Sequence, residues 1–435
     1  MGQVGSVSQG AHSLVATPAR LADRNGDNTV STLVEDYLSL GLELNKYIDG
    51  LVDAYYGPKE LADKVDSHGR LDPRKLVEIA RELIGAIDSR VALDATELSH
   101  DPARVAWLRA QVVGLLTTAQ KLAGVKVDYL TEVERCYGIR PRRVLRDEID
   151  EALRVLDSLI PGVGALKDRL VAYRESFVVL PEKLKPILMD LTEVFRERTS
   201  KLFGLPEGEN LEFEIVTSKP WSGFNYYLGN LKSRVAINAD LPILSTSLAH
   251  LVAHEAYPGH HSEHTRKEVN LFNKRGQLEE SIFLVGTPQC LIAEGLADFG
   301  LEVLLGDEEF TLVSELMIKR GTNYPDQELK ETRSAFETLS KVRGNAAWDL
   351  HQDGVPADTV VENLERDALL SRPRAEKAVE FLTDPTWRAY ITCYVEGYQL
   401  VKSFVGSPDQ VLDSTRVGRF RRLITEQVLP KDLVS

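Results

Sequence analysis

The sequence predicts a mainly α protein: a large helical body with a deep cleft and a small β-sheet beside one functional helix. Two observations carry this. Apolar residues recur three and four apart over most of the chain, and the period drops to two over one short stretch between Leu211 and Asp240.

Residues 1–28 are rich in Gly, Ser and Ala and read as a flexible tail. The opening Met1-Gly2-Gln3-Val4-Gly5-Ser6 matches the loose N-myristoylation pattern, but a plain disordered start is the better reading. Residues 29–205 form an N-terminal helical region. Leu33, Tyr37, Leu40 and Leu44 share one helix face, as do Val105, Leu108, Val112, Leu115 and Ala119. The stretches 142–160 and 182–203 repeat the pattern, with breaks at Pro161-Gly162 and Leu205-Pro206-Glu207-Gly208.

Residues 206–435 read as a catalytic, metal-binding region. Leu211–Val216 alternates as a half-buried strand does. Phe224–Asn230 and Ser233–Asn238 predict two more short strands around a Gly-Asn turn. After Pro242 the helical period is expected to persist to the C-terminus. The two regions can equally form one continuous body.

Composition narrows the function. The chain has 435 residues, 66 acidic against 52 basic, and a formal net charge of −14. That balance speaks against nucleic acid and against an anionic membrane, both of which need a surplus of Lys and Arg on one face. The three cysteines, Cys136, Cys290 and Cys393, are far apart in sequence and form no CxxC pair, so a reducing compartment fits. No apolar run approaches the roughly 18 residues of a membrane span, and the first 30 residues lack a secretory pattern. A cytoplasmic protein is expected.

The chemistry is concentrated in residues 247–261, SLAHLVAHEAYPGHH, which hold four of the chain's nine histidines. Zinc hydrolases commonly use HExxH on a helix: the two histidines face one ion, and the Glu takes a proton from the water on it. Here His254-Glu255 is present, but position 258 is Pro, and the next histidines are His260 and His261. A straight helix would carry His261 to the face of His254 but roughly 10 Å along the axis. Pro258-Gly259 favours a bulge or break, which can return His260 to the place of the second ligand. His260 is preferred, with His261 as the alternative. The third ligand is sought on a later element. In Ile292-Ala293-Glu294-Gly295-Leu296-Ala297-Asp298, Glu294 and Asp298 are four apart on one helix face. Glu294 is expected to ligate, and Asp298 to accept a hydrogen bond from a ligating His. His250 shares a face with His254 and suits a supporting contact or a core position. His264 is expected on a solvated face.

These segments, HEAYPGHH and Glu294-Gly295-Leu296-Ala297, resemble the domain-of-unknown-function 885 family, whose members carry HExxPGHH and a later EGWALY-like motif. The resemblance spans roughly residues 210 to 400. Leu296 stands where the family often has Trp, and Asp298-Phe299 replaces its Leu-Tyr. Arg343 and His351 match the ends of the family's RxxxDxGxH stretch, although Ala347 and Asp349 depart from it. Tyr394 and Gly397 match its later YxxG segment. The family is similar to zinc peptidases of the carboxypeptidase Taq type, and expanded HE…GH motifs as in dipeptidyl peptidase III also favour a displaced second histidine. The resemblance implies a zincin-like helical fold and one zinc ion on His254, His260 and Glu294. Glu255 is then the general base, and Tyr394 or His351 supplies the donor for the oxyanion, with Tyr398 a weaker candidate. The strand Arg234–Asn238 is expected to offer an edge to an extended peptide. The reaction expected is hydrolysis of a peptide or other amide bond; a metalloenzyme of another class acting on a small metabolite is the alternative.

Overall fold

A computed structural model of the chain describes residues 28–89, 101–219, 222–406 and 413–434. The expected tail, residues 1–27, lies outside them, and Asn28 already opens the first helix. The first part runs α1 (Asn28–Asn45), β1 (Val52–Tyr55), α2 (Lys59–Asp66), α3 (Pro73–Ser89), α4 (Pro102–Leu122), α5 (Tyr129–Tyr137), α6 (Arg146–Leu159), α7 (Leu166–Glu175) and α8 (Pro181–Leu202). Local chemistry sets these ends. Asp101 caps α4 by accepting from the backbone N–H groups of Ala103 and Arg104 at 3.1 and 3.0 Å. Asp128 caps α5 through Thr131 N–H at 3.0 Å. The faces read from sequence turn inward: Leu33, Tyr37, Leu40 and Leu44 are buried on α1, and Leu108, Val112, Leu115 and Ala119 on α4.

The expected small sheet follows as β2 (Asn210–Val216), β3 (Gly223–Tyr227) and β4 (Lys232–Asn238). Its order is β2-β4-β3, with β2–β4 parallel and β3–β4 antiparallel. Gly229 and Asn230 turn the β3–β4 hairpin, both at positive φ. β4 is therefore the central strand, with both sides paired, and the expectation that Arg234–Asn238 offers a free edge is corrected. The two edges of the sheet are β2 and β3.

The second part continues with α9 (Ser245–Glu255), α10 (His260–Lys267), β5 (Ile282–Leu284), α11 (Pro288–Leu305), α12 (Glu309–Lys319), α13 (Asp326–Ser340), α14 (Val342–His351), α15 (Ala357–Asp367) and α16 (Arg372–Thr383). A π-helical segment, Cys393–Gly397, leads into α17 (Tyr398–Val405), and α18 (Ser414–Leu423) closes the order. The helical run after Pro242 is thus interrupted. β5 pairs antiparallel with β1, a pairing that neither three- nor four-residue stretch announces by its own pattern.

Among the described residues the apolar interior falls into three clusters. α1, α3 and α4 close over Ile282 and Leu284 of β5. α5 and α6 pack with α13 to α16 and with Cys290, Leu291 and Ala293. α8, β4, α9, α12, α17 and α18 pack with Ile292, Leu296 and Ala297. α11 serves two of these clusters from opposite sides and is buried almost all round. A helix in that position is expected to be apolar throughout. That it carries Glu294, with 6% of its surface exposed, calls for an explanation, because burying an uncompensated carboxylate is costly.

Candidate metal centre

α9 stops at Glu255. Ala256 leaves the helical region at φ −118°, ψ −89°, Tyr257–Pro258 is cis, and α10 restarts at His260. Gly259 makes this possible. Its backbone folds so tightly onto α9 that a Cβ would fall on the carbonyl oxygens of His254 and Ala253. Its N–H in turn donates to Ala253 O at 2.9 Å. The break rotates α10 and decides between the two neighbouring histidines. His260 Nε2 lies 3.1 Å from His254 Nε2. His261 is fully buried and points away, with Nδ1 2.7 Å from Ser233 Oγ and Nε2 2.7 Å from Glu209 Oε2.

α11 supplies the third group. Glu294 Oε2 is 3.5 Å from His254 Nε2, and Glu294 Oε1 is 3.7 Å from His260 Nε2. Oε1 accepts from the Tyr390 hydroxyl at 2.9 Å, whereas Oε2 is buried without a hydrogen-bond partner. Asp298, one turn on, takes His254 Nδ1–H at 2.9 Å, as its i, i+4 spacing from Glu294 led us to expect. That bond sends the Nδ1 proton outward and turns the Nε2 lone pair toward His260 and Glu294. Two inward ring nitrogens and an orphaned carboxylate oxygen make a set of donors facing one point. A tetrahedral ion with bonds of ~2.0–2.1 Å holds its ligands about 3.3 Å apart. The 3.1 Å between the two Nε2 atoms and the 3.5 Å from His254 Nε2 to Oε2 fit that requirement, while the 3.7 Å from His260 Nε2 is to the other oxygen, Oε1.

The electrostatics agree with it. Burial pushes His260 down to about 4, which leaves the ring neutral, the form a metal ligand needs. Burial opposes charge on His254, but Asp298 and Glu294 outweigh it and hold it well above its usual value, so an ion binding at Nε2 would have to displace a proton there. Burial likewise opposes charge on Glu294, and His254, His260 and Tyr390 together bring it below the usual carboxylate range. Glu255 presents a ligand-type atom within 4.8 Å of His254 and His260. Burial, countered by His254 and reinforced by Glu294 and Asp298, pushes it up to about 7. Its backbone carbonyl accepts from Asn225 Nδ2 at 2.5 Å, which ties β3 to the end of α9.

Tyr394 is brought to this centre. It is 40% exposed, its ring meets Tyr390 at 5.3 Å edge to face, and Glu294 is among the charges it feels. The approach depends on a backbone crossing: a Cβ on Gly295 would strike the backbone of Gly397, and one on Gly397 would lie 2.6 Å from Leu291 O. His351 is not brought to the centre. Its Nε2 faces Leu382 O at 2.6 Å and its ring lies 5.5 Å from Tyr129. Asp349, on the same helix, pairs with Arg143. Tyr398 also points elsewhere, with its hydroxyl on Glu302 and Glu337. His250 is half exposed, with Nε2 3.6 Å from Asp298. His264, expected on a solvated face, is instead buried and stacked 4.8 Å from Tyr227, because the α9–α10 break turns that face of α10 onto β3.

Tyr390 was missed as a functional residue. Its only sequence signal is the i, i+4 spacing to Tyr394, which means nothing until Glu294 is placed beside it.

No protein-family profile matches the chain, and no curated protein is similar to it. Solved structures do resemble it. One is described as the "putative lipoprotein from Colwellia psychrerythraea", 14% identical over 83% of this chain and 68% of that one, with a TM-score of 0.50. A structure given as BsuCP is 11% identical over 86% and 84%, with a TM-score of 0.41. A "putative lipoprotein of unknown function from Shewanella oneidensis" is 14% identical over 92% and 73%, also at 0.41. The likeness to the first is one of fold alone. No described helix is long and apolar enough to cross a membrane.

Proposed function

We propose that this chain is a zinc-dependent hydrolase that cleaves a peptide or other amide bond. The observation that carries the reading is the facing set of His254 Nε2, His260 Nε2 and Glu294 within 3.1–3.7 Å, with Glu255 beside it. A structural zinc normally has four protein ligands and no use for an adjacent carboxylate, whereas three ligands leave a position open for catalysis. A zinc ion held there would polarise water and the scissile carbonyl. Glu255 accepts the proton from water and passes it to the leaving nitrogen. Tyr394, exposed on one side and edge to face with Tyr390, would donate its O–H to the developing oxyanion. Asp298 keeps His254 in the tautomer the ion requires. The resemblance of HEAYPGHH and Glu294-Gly295-Leu296-Ala297 to the domain-of-unknown-function 885 proteins and the carboxypeptidase Taq type supports the same reading. We further propose a cytoplasmic, reducing setting: Cys136, Cys290 and Cys393 gather in one core cluster, all of them free.

The test is a metal analysis paired with a turnover screen of peptides and N-acyl compounds with and without zinc. About one zinc ion per chain is expected, lost in His254→Ala. Glu255→Gln should keep the ion and lose turnover. A metal-replete protein that binds no ion, or a fully active Glu255→Gln, would overturn the proposal.

A further inference from the structure

α9 carries a pair of histidines of which the centre uses only one. His250 and His254 are four apart on a helix that runs unbroken from Ser245 to Glu255. On a straight helix that spacing turns two imidazoles to one face, where a single ion can meet both. Their ring centroids are 5.9 Å apart. Asp298 of α11 faces the pair. Its Oδ1 lies 2.9 Å from His254 Nδ1 and 3.6 Å from His250 Nε2. His250, His254 and Asp298 each present one ligand-type atom, and the three atoms lie within 4.8 Å of one another. This set is separate from the inner one, which meets His254 at its other nitrogen.

The two contacts of Asp298 Oδ1 differ in kind. The one to His254 is a hydrogen bond, whereas 3.6 Å to His250 is too long for one. That length is near the separation of two ligands on one ion, about 3.3 Å around a tetrahedral zinc. The set is also open where the inner centre is closed. The His250 side chain is 51% exposed, against 12% for His254 and 11% for His260. A hydrated ion can therefore meet His250 from solvent and keep part of its water. Imidazole with carboxylate suits zinc and its transition-metal neighbours, whereas magnesium and calcium prefer oxygen ligands.

We infer that His250, Asp298 and His254 Nδ1 form an outer site for a second divalent transition-metal ion, and that filling it inhibits the inner centre. The ion takes His250 Nε2 and the Asp298 carboxylate. It takes His254 Nδ1 as that nitrogen gives its proton to solvent, so one metal–nitrogen bond replaces one N–H bond. The hydrogen bond from Nδ1–H to Oδ1 is lost in the exchange, and with it the support that orients His254 toward the inner ion. The outer site is the more exposed of the two and must displace that hydrogen bond, so it fills only when the ion is in excess. The inhibition rests on the hydrolase reading above; the site itself rests on the three side chains.

The experiment titrates zinc into the full chain already loaded with one zinc ion. Binding is read by calorimetry and by metal analysis after equilibrium dialysis, and turnover on the peptides and N-acyl compounds of the screen above. The parent should take a second ion more weakly than the first, and turnover should fall about 10- to 100-fold as it fills, the usual effect of losing a support behind a ligating histidine. His250→Ala should keep the first ion, its turnover and its melting temperature, bind no second ion and escape the inhibition. His260→Ala should lose the tight ion and keep the weak one. Magnesium in place of the added zinc should neither bind nor inhibit. A parent that holds one ion even in excess zinc overturns the inference. So does a second ion that persists in His250→Ala, which would mark adventitious surface binding. Inhibition that survives in His250→Ala after the second ion is lost overturns the regulatory half, and equal binding of magnesium overturns the class of ion. Two ions, the weaker dependent on His250, without turnover of any compound would defeat the hydrolase reading and leave the outer site standing. Turnover with one ion and no effect of excess zinc does the reverse.

Discussion

At His254 the two ring nitrogens have different tasks, and the centre depends on keeping them apart. Asp298 holds the Nδ1 proton, so Nε2 is the nitrogen that would give up its proton to meet the proposed ion. Asp298→Asn should lower zinc affinity about 10- to 100-fold, read by competition with a chelator of known affinity. Unchanged affinity would mean that Asp298 does not set the tautomer. Tyr394→Phe removes one hydroxyl and should lower kcat on the order of 100-fold while leaving KM and zinc content near the parent values. A variant that loses only KM would reassign Tyr394 to binding. Some of this was legible at the level of single residues. His254-Glu255 announces itself because base and ligand must be adjacent, and Glu294 with Asp298 because a helix brings i and i+4 together. Tyr390 carries no such mark, because its position matters only beside Glu294, which lies far from it in sequence.

The break between α9 and α10 is the element on which the ligand set turns. Sequence reasoning found that Pro258-Gly259 should distort the helix, and preferred His260 on that ground. It could not fix the direction of the turn, because that depends on Ser233 and Glu209 capturing His261. Gly259→Ala cannot be accommodated without moving α9 against α10. A loss of at least about 1–3 kcal/mol is expected, together with weakened zinc binding, measured by thermal unfolding with and without zinc. A stable variant with full zinc content would show that the two helices can separate without harm. Amphipathic helices such as α1 and α4 were readable because each has one wet face. α11 was harder to read, since a helix buried on nearly every side has no apolar stripe to stand out. β1 and β5 are too short to show a period at all.

Across the whole molecule, charge ties helices that the cores alone would leave to packing. Glu337 on α13 receives Lys402 at 2.7 Å and Gln399 at 2.9 Å from α17. Burial works to raise its carboxyl, but Lys402, Gln399 and Lys341 outweigh that and hold it at about 2. A carboxylate lowered in the folded state stabilises fully above its unfolded pKa and loses that contribution as pH falls through the folded value. Glu337→Gln should therefore cost on the order of 2–3 kcal/mol at neutral pH, with the gap to the parent closing as pH falls from about 4.5 toward 2. Urea midpoints across that range give the answer, and a gap independent of pH would remove the ion pair from the account. The crossing of Gly295 and Gly397 has a consequence in time. His254, His260 and Glu294 leave the ribosome well before Tyr390, Tyr394 and Gly397, so the nascent chain displays its ligands before it holds the residues that restrain Glu294. If the centre holds an ion as proposed, one captured before residue 397 docks on α11 would sit on a more open face than one captured after it.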